Sequence, residues 1–211
     1  MKRITFCALL MTLFLLMSCN NSASSPKDGQ AAKSDGTLID LKSVSSKITE
    51  AVAFAKSVTE IHTLVKSIDD LAKAIKKKIQ ADGLQDDNGG KNGSLLAGAH
   101  SVISAVKTKL GVLEQTNGIS DELKQKVTAV KTDNDAFIKK LETEHSDLGK
   151  ADGAVTDEHA KEAIDKTNKP DGTKGVAELK KLNTAIDALL TAAEAAVTAA
   201  INALSTPAQS N

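Results

Sequence analysis

The fold is decided by residues 44–79, which read VSSKITEAVAFAKSVTEIHTLVKSIDDLAKAIKKKI. Apolar side chains recur every seven residues in this run, and a second apolar line lies beside the first and shifts by one residue partway along. That shift keeps the stripe on one face of a nearly straight helix, because about 3.6 residues per turn drift against a strict seven. The two lines are Val44, Ala51, Val58, Val65, Ala72 and Ile79, and Leu41, Ile48 and Ala55 followed by Phe54, Ile61, Ile68 and Ile75. We predict one helix over residues 38–79, about 60 Å long, which must lie against partner helices.

Downstream segments repeat the helical pattern and are separated by turn sequences. Asp82-Gly83 is expected to end the first helix, and the polar residues 86–93 are expected to form an exposed loop. Ser94 is expected to cap a second helix, and Thr156 a short fourth helix that ends near Lys166. The third helix is expected to start at Ser120, with acidic residues in its first turn, and to reach His145; the last is expected from Val176 to Leu204. The sequence thus predicts an all-α fold: an elongated antiparallel bundle of four long helices and one short helix over residues 38–205, followed by a flexible tail, 206–211.

The composition excludes several functional classes. Lys and Arg number 27, Asp and Glu also number 27, and aromatic residues are 2% of the chain. A balanced charge gives no reason to expect a nucleic acid partner. Only Phe54 and Phe137 remain once the N-terminal segment is set aside, too few rings for base stacking or for a typical apolar ligand pocket. We therefore expect no nucleic acid partner, no cofactor and no enzymatic activity.

The N-terminal residues have the features of a secretory signal. Lys2 and Arg3 precede an apolar run of about fourteen residues, shorter than the roughly twenty that cross a bilayer as a helix. The run ends Leu16-Met17-Ser18-Cys19, which resembles a loose, spirochaete-like bacterial lipobox. In that class residues 1–18 are removed, and Cys19 becomes the acylated first residue of the mature protein. The alternative is an ordinary signal peptide with a chance Cys near its end.

The cysteine and charge counts agree with a lipid anchor. Cys7 leaves with the signal, so the mature chain has Cys19 alone and forms no internal disulfide. Loss of Lys2 and Arg3 leaves 25 basic residues against 27 acidic ones, so lipid rather than charge would bind the membrane. Residues 19–37 lack periodicity after the Cys and are predicted to form a lipidated, disordered tether.

Three short motifs suggest metal or phosphate chemistry, and each has a structural alternative. Glu142-x-x-His145 has the spacing of a di-iron bundle ligand pair, but the second copy and the two further Glu are missing, so we predict no metal site and a helix-terminal His145 partly tucked against its stripe. Gly90-Lys91 lacks the rest of a phosphate loop. Asp133-Asn134-Asp135 lacks the Gly of a calcium loop, and Asn134 on an apolar stripe is more typical of a residue that fixes helix register.

A basic run, Lys73, Lys76, Lys77 and Lys78, is the polar cluster that most merits a test. One interpretation is favourable positive charge at a helix C-terminus together with a solvated face. The other is a patch that binds a sulfated glycan through lysine point charges, although Asp82, Asp86 and Asp87 nearby weaken it. Both interpretations stay open at this point.

Four separated blocks resemble one protein family. They are MTLFLL (11–16) with SCNNS (18–22), NGSLLAGA (92–99), HSDLGK (145–150) and AKEAI (160–164). These look like the variable small proteins of relapsing-fever Borrelia, relatives of outer surface protein C. The resemblance implies a helical, dimeric surface lipoprotein whose serial replacement by distinct versions lets the cell escape antibodies, and members are credited with influencing tissue tropism through glycosaminoglycans. Cys19 alone matches a functional residue of the family, and the turn Lys169-Pro170-Asp171-Gly172 looks like a local elaboration.

We therefore expect a surface-exposed, lipid-anchored protein of the outer membrane that serves antigen display and immune evasion. Its expected partners are the outer membrane, through the lipid, a second copy of the chain and host antibodies. The principal alternative is an adhesin that binds a host glycosaminoglycan or another host surface ligand. An enzyme or a transporter component is a third, weaker hypothesis.

Overall fold

The computed structural model describes residues 30–32 and 38–204 of the 211-residue chain. The signal segment, Cys19, the C-terminal tail and most of the predicted tether lie outside the described residues. By its internal contacts the chain divides into two units, one of residues 43–206 and one of the chain ends, 1–42 with 207–211.

The chain-end unit contains a short antiparallel strand pair. β1 (Gln30–Ala32) pairs with β2 (Leu38–Asp40). The prediction of a disordered tether is therefore wrong for residues 30–32, and the first helix begins at Leu41 rather than at Leu38. The physical reason for this start is Asp40, whose carboxylate accepts a hydrogen bond from the Lys42 amide at 3.0 Å and so satisfies an amide that would otherwise be unpaired at a helix start.

The first long helix, α1 (Leu41–Ala72), carries the predicted apolar stripe but is shorter than predicted. The stripe and its one-residue shift are confirmed by the buried residues, which are Phe54, Ala55, Val58, Ile61, Val65 and Ile68. Beyond Ala72, Ile75 is still buried within a turn, whereas Ile79 is 85% exposed. The prediction of one helix up to Ile79 is therefore wrong.

A β-hairpin replaces the predicted end of this helix. β3 (Lys77–Gln80) pairs antiparallel with β4 (Gly83–Asp86), and Ile79 lies opposite Leu84. A turn over residues 73–76 joins α1 to the hairpin, and its last residue, Lys76, has a φ of 64°, in the left-handed region. Ile79 keeps the seven-residue spacing but lies in a strand. Asp82 and Gly83 do not end a helix: Asp82 lies in the hairpin turn and Gly83 begins β4.

Within the described residues, five helices follow the hairpin. They are α2 (Gly93–Glu114), α3 (Asp121–Thr143), α4 (His145–Leu148), α5 (Asp157–Ile164) and α6 (Val176–Asn202). The predicted Thr156 cap is confirmed, since its side chain accepts a hydrogen bond from the His159 amide. The predicted start of the third helix is also confirmed: α3 begins directly after Ser120, whose side chain accepts a hydrogen bond from the Leu123 amide. The Ser94 cap is wrong because α2 already begins at Gly93, after Asn92.

The core of the 43–206 unit consists of aliphatic side chains from all the long helices. α3 packs most extensively against α6 and next against α2. Among the largest fully buried side chains are Ile61, Ile68, Ile103, Leu110, Phe137, Leu179, Leu182, Ile186 and Leu189. Helices hold 70% of the structure, so the all-α prediction is confirmed, with two small hairpin sheets added to it.

α6 is the one helix of the described chain that is long and apolar enough to cross a membrane by length and composition alone. A core helix of a bundle meets the same criterion. Leu179, Leu182, Ile186 and Leu189 are fully buried in the bundle, whereas Leu190 and Ile201, nearer the end of α6, are only partly buried.

Candidate functional surfaces

The structure gives the surroundings of the predicted basic run, whereas the predicted lipid site, Cys19, lies outside the described residues. Lys73 follows α1, and its ammonium lies 2.7 Å from an oxygen of Asp70. That hydrogen bond and the charge of Asp70 raise the pKa of Lys73. Of the four lysines in the basic run, Lys73 is therefore already paired with a carboxylate.

The hairpin places two more of these lysines opposite carboxylates. Lys77 Nζ lies 2.5 Å from Asp86 Oδ1, and Lys78 Nζ lies 3.6 Å from Asp87 Oδ1. The hydrogen bond from Lys77 lowers the pKa of Asp86. Lys73 thus forms an ion pair at the end of α1, Lys77 and Lys78 form ion pairs at the hairpin, and the charge of all three is partly neutralised. Whether the run binds a glycan stays a prediction.

Sequence reasoning missed Asn92, which joins three segments. Residues 86–93 were expected to be exposed, yet Asn92 is only 5% exposed, so that expectation is wrong at this position. Its Oδ1 accepts the Lys76 amide at 3.2 Å, and its Nδ2 donates to the Val155 carbonyl at 3.0 Å and to Asp157 Oδ1 at 2.9 Å. Composition marked the loop as polar but gave no signal that one amide would be buried.

Gly93 allows the backbones to approach closely beside Asn92. Its amide donates to the Gly153 carbonyl at 3.2 Å, and a Cβ at Gly93 would lie 2.9 Å from the Gly153 Cα. A side chain at Gly93 would therefore push the two segments apart. The hairpin base, the start of α2 and the segment before α5 therefore meet here in close backbone contact.

The predicted Glu142 and His145 line a shallow groove of about 420 Å³ between the start of α2 and the end of α3. His145 is exposed rather than tucked against its stripe, and its Nδ1 lies 3.0 Å from the Glu142 carbonyl. The Glu142 carboxylate lies 3.2 Å from His100 Nε2 instead of pointing with His145 at a shared ion. Among the described residues no group of three or more His, Cys, Asp or Glu side chains has the arrangement of a metal site.

A second feature missed from the sequence is a polar network between α1, α6 and the segment after α5. Asn183 on α6 is 5% exposed, and its Oδ1 accepts hydrogen bonds from Lys66 at 2.9 Å and from Lys166 at 2.8 Å. Lys166 also lies 2.9 Å from Asp69. The network therefore ties the chain after α5 to both long helices.

The same network continues to Asp187, one turn further along α6. Its carboxylate pairs with Lys66 and lies 2.9 Å from His62 Nε2. Burial alone would raise the pKa of Asp187, but the hydrogen bonds and positive charges of Lys66 and His62 outweigh burial and lower it. The ionised form of Asp187 is thus favoured where two helices meet.

A third cluster holds the segment before α6. Lys174, with a side chain 11% exposed, contacts Asp147 Oδ2 at 2.5 Å and Glu144 Oε2 at 3.3 Å. Lys140 contacts the same Glu144 at 2.6 Å. The hydrogen bond to Asp147 raises the pKa of Lys174, and the hydrogen bonds from the lysines lower the pKa values of both carboxyls. This cluster joins the end of α3 and α4 to the segment containing the turn Lys169-Pro170-Asp171-Gly172.

The Asn183 and Lys174 clusters pair charges and hydrogen-bond partners between helices and the segments beside them, and Asn92 joins three segments by hydrogen bonds. This architecture is that of a helical bundle whose helices are joined by polar contacts as well as by an apolar core. The chain belongs to a lipoprotein family, whose model, described as "Lipoprotein", matches residues 38–210. The family is one of surface lipoproteins and is not a known enzyme family.

Individual relatives agree with this assignment. Variable small protein 11 of Borrelia hermsii is 49% identical over 99% of this chain and 99% of its own length. An outer surface protein C of Borreliella burgdorferi is 41% identical over 98% of this chain and 96% of its own length. The solved structure of variable small protein 1 of Borrelia turicatae is 60% identical, has a TM-score of 0.74 and covers 78% of this chain and 99% of its own. The resemblance inferred from the four sequence blocks is confirmed, and the homologues support an outer-membrane, surface-exposed location.

Proposed function

We propose that this protein is a lipid-anchored antigen of the outer membrane whose replacement by distinct versions lets the cell evade host antibodies. Membership of a surface lipoprotein family supports the location, and the separation of core from surface in each helix supports the mechanism. In α3, for example, Val127 and Val130 are fully buried, whereas Lys124, Gln125 and Thr128 are exposed.

Because of this separation, substitutions on the exposed faces can change the antigenic surface with little loss of folding stability. Exposed substitutions away from caps and ion pairs usually change the free energy of unfolding by no more than about 0.5 kcal/mol. Truncation of a buried Leu or Ile to Ala removes about 2–5 kcal/mol. A lineage of such proteins can therefore alter the exposed faces of its helices while the buried stripes hold the same fold.

The lipid anchor is proposed to be Cys19. Labelling with radioactive palmitate should mark the wild-type protein, whereas a Cys19→Ala variant should be unlabelled and released from the membrane fraction. Cys7→Ala is the matched control and should label like the wild type. Protease added to intact cells should remove the helical domain from the wild-type protein. Survival of the domain under conditions that digest a known surface protein would contradict surface exposure.

The switching role needs its own test. Antibodies raised against this protein should bind cells that express it and should fail on cells that express a relative with different exposed helix faces. Grafting those exposed faces onto this core should transfer antibody recognition without loss of helical circular dichroism. Equal recognition of both versions by the antibodies would contradict antigenic escape.

A homodimer is proposed as the assembled form. From Phe54 onward the stripe of α1 is largely buried, but Val44, Ile48, Ala51 and Val52 are only half-buried in the single chain. A second copy laid along this end of α1 would remove the remaining apolar surface from water. Ile48→Lys should shift the chain from residue 20 onward toward monomer in light scattering, and Ser46→Lys, which adds the same charge at an exposed site, should not. Monomer alone at high concentration of the wild type would contradict the dimer.

Glycan binding by Lys73, Lys76, Lys77 and Lys78 is kept as the alternative role. The observation in its favour is that Lys73, Lys77 and Lys78 are all exposed around one hairpin, although each pairs with an Asp. Replacement of Lys76, Lys77 and Lys78 by Glu should abolish retention on heparin if the run binds sulfated glycans. Replacement of the exposed Lys180 and Lys181 by Glu is the control. Unchanged retention of the first variant would eliminate this patch.

A further inference from the structure

Three Asn-Gly pairs occur in the described chain, at residues 88–89, 92–93 and 117–118. Asn followed by Gly is the sequence most open to a slow intramolecular reaction, because glycine carries no side chain to hinder attack by its backbone nitrogen and because its backbone is permissive. The reaction also requires a mobile asparagine side chain and a backbone amide that can lose its proton. The structure gives the three pairs different surroundings.

The chemistry needs water and no other reagent. The deprotonated nitrogen of the glycine attacks the side-chain carbonyl carbon of the asparagine, a carbon–nitrogen bond forms, and the side-chain nitrogen leaves as ammonia after taking up a proton. The resulting five-membered succinimide is opened by water at either carbonyl. The products are aspartate and isoaspartate, each with a new carboxylate, and nothing is oxidised or reduced.

The hydrogen bonds around Asn92-Gly93 disfavour this reaction. The Asn92 side chain is fixed by the Lys76 amide, the Val155 carbonyl and Asp157. The attacking nitrogen, that of Gly93, donates its hydrogen to the Gly153 carbonyl at 3.2 Å. Attack therefore requires local opening of a junction that joins three segments.

Asn88-Gly89 is exposed but has a restrained amide. Both residues are exposed, and the Gly89 amide donates to Asp87 Oδ1 at 3.3 Å. A carboxylate that accepts this hydrogen disfavours loss of the proton, because the nitrogen anion would then face a second negative charge. This pair is expected to react more slowly than an exposed pair without such a neighbour.

Asn117-Gly118 lacks both restraints. The pair lies in the turn between α2 and α3, and both residues are exposed. Within residues 38–204 no hydrogen bond holds the Gly118 amide or the Asn117 side chain. An oxygen of the Glu50 carboxylate lies 2.6 Å from where a Cβ on Gly118 would be, but no hydrogen bond joins it to the Gly118 amide. Its charge should therefore oppose loss of the amide proton less than that of Asp87, which accepts the hydrogen of the Gly89 amide. Gly118 also has a φ of 82°, a conformation that glycine adopts without strain.

We propose that Asn117 is a site of spontaneous, enzyme-free conversion to aspartate and isoaspartate in the folded protein, that Asn88 reacts more slowly and that Asn92 is protected. Each conversion at Asn117 adds a negative charge to an exposed turn beside Glu50. The isoaspartate product also reroutes the backbone through the side chain. One consequence, which rests on the proposed antigen role, is that antibodies meet a chemically heterogeneous turn without any change of gene.

The test is a time course on the full protein extracted from membranes in mild detergent. It is incubated at mildly alkaline pH and at physiological temperature, in native form and in concentrated urea. Peptide mapping by mass spectrometry follows the gain of about 1 Da at each site, and an isoaspartate-specific methyltransferase with labelled methyl donor counts isoaspartate. Asn117 should react in the native protein within about threefold of its rate in urea, and Asn92 should be slowed at least about tenfold by folding.

Two variants and two contrary outcomes complete the experiment. Asn117→Gln should remove most of the native-state methylation, because glutamine would have to close a larger ring, and Asp87→Ala should speed the reaction at Asn88. Folding that slows Asn117 as much as Asn92 would overturn the proposal, and so would equal native rates at all three pairs. These readouts do not depend on lipid attachment or on antibody binding, so their failure would leave the proposed function standing.

Discussion

At the scale of single residues, two buried asparagines have opposite surroundings. Asn134 on α3 is completely buried, and neither its Oδ1 nor its Nδ2 has a hydrogen-bond partner. Asn183 on α6 is nearly as buried, but its side chain bonds Lys66, Lys166 and the Leu179 carbonyl. A buried polar group without a partner loses its hydrogen bonds to water and gains none in the protein, which destabilises the fold. A partnered group replaces those hydrogen bonds with bonds to its neighbours.

We expect Asn134→Leu to raise the free energy of unfolding by about 1–2 kcal/mol, because a side chain of similar size replaces an unpaired amide. The same change at Asn183 should lower it by about 1–3 kcal/mol, since it leaves the two lysines without their shared acceptor. Urea denaturation followed by circular dichroism measures both. Destabilisation by Asn134→Leu with unchanged oligomeric state would show that the buried amide has a partner or a register role after all.

Asn92 provides a second test at this scale. Asn92→Ala removes the acceptor of the Lys76 amide and the donor to Val155, so we expect a loss of about 2–3 kcal/mol of unfolding free energy. Asn88→Ala, in the same loop but exposed, should change it by less than about 0.5 kcal/mol. Similar urea midpoints for the two variants would mean that the junction around Asn92 contributes little.

At the scale of elements, sequence periodicity located the helices, but three-dimensional neighbours decided where they end. The Ser120 and Thr156 caps were predictable because a cap is a local interaction between residues three apart. The hairpin after α1 was not, because its base is held by Asn92, which accepts the Lys76 amide hydrogen from the far side of the hairpin. The polar clusters around Asn183 and Lys174 were missed for the same reason, since their members are distant in sequence.

The left-handed backbone conformation of Lys76, in the turn between α1 and the hairpin, leads to a prediction about stability. A left-handed φ strains any residue that has a Cβ, so Lys76→Gly should stabilise the protein by about 1 kcal/mol. Lys78→Gly removes the same type of side chain from a strand and should be neutral or destabilising. Thermal unfolding of the pair reports the difference. A lower melting temperature for Lys76→Gly than for the wild type would contradict a strained turn.

The Lys174 cluster predicts how stability depends on pH. The pKa values of Asp147 and Glu144 are lowered in the folded state, so their contribution is present above their unfolded values, 3.8 and 4.5, and is lost as pH falls through the lower folded values. Lys174→Met should therefore reduce the urea midpoint at neutral pH, and the gap from the wild type should narrow as the solution is acidified below about pH 4. A gap that is constant between neutral and acidic pH would show that the ion pairs contribute little.

At the scale of the whole molecule, the buried stripes of the helices determine the fold, and the exposed faces can vary without changing it. The stripes fix an all-helical domain shared with variable small protein 1 of Borrelia turicatae. The exposed faces carry Lys, Glu, Thr and Ser side chains that can change with little effect on stability. The family assignment and the helical class could be read from the sequence, because both depend on local patterns and matching blocks. The anchoring residue was proposed from the lipobox alone.

We propose that Cys19 is the acylated first residue and that its lipid holds this helical domain at the cell surface. Mass spectrometry of the native protein, extracted from membranes and digested, tests this claim most directly. We expect an N-terminal peptide that begins at Cys19 and carries a thioether-linked diacylglycerol and an amide-linked acyl chain. A peptide with a free Cys19 thiol, or one that extends upstream to include Cys7, would contradict the account.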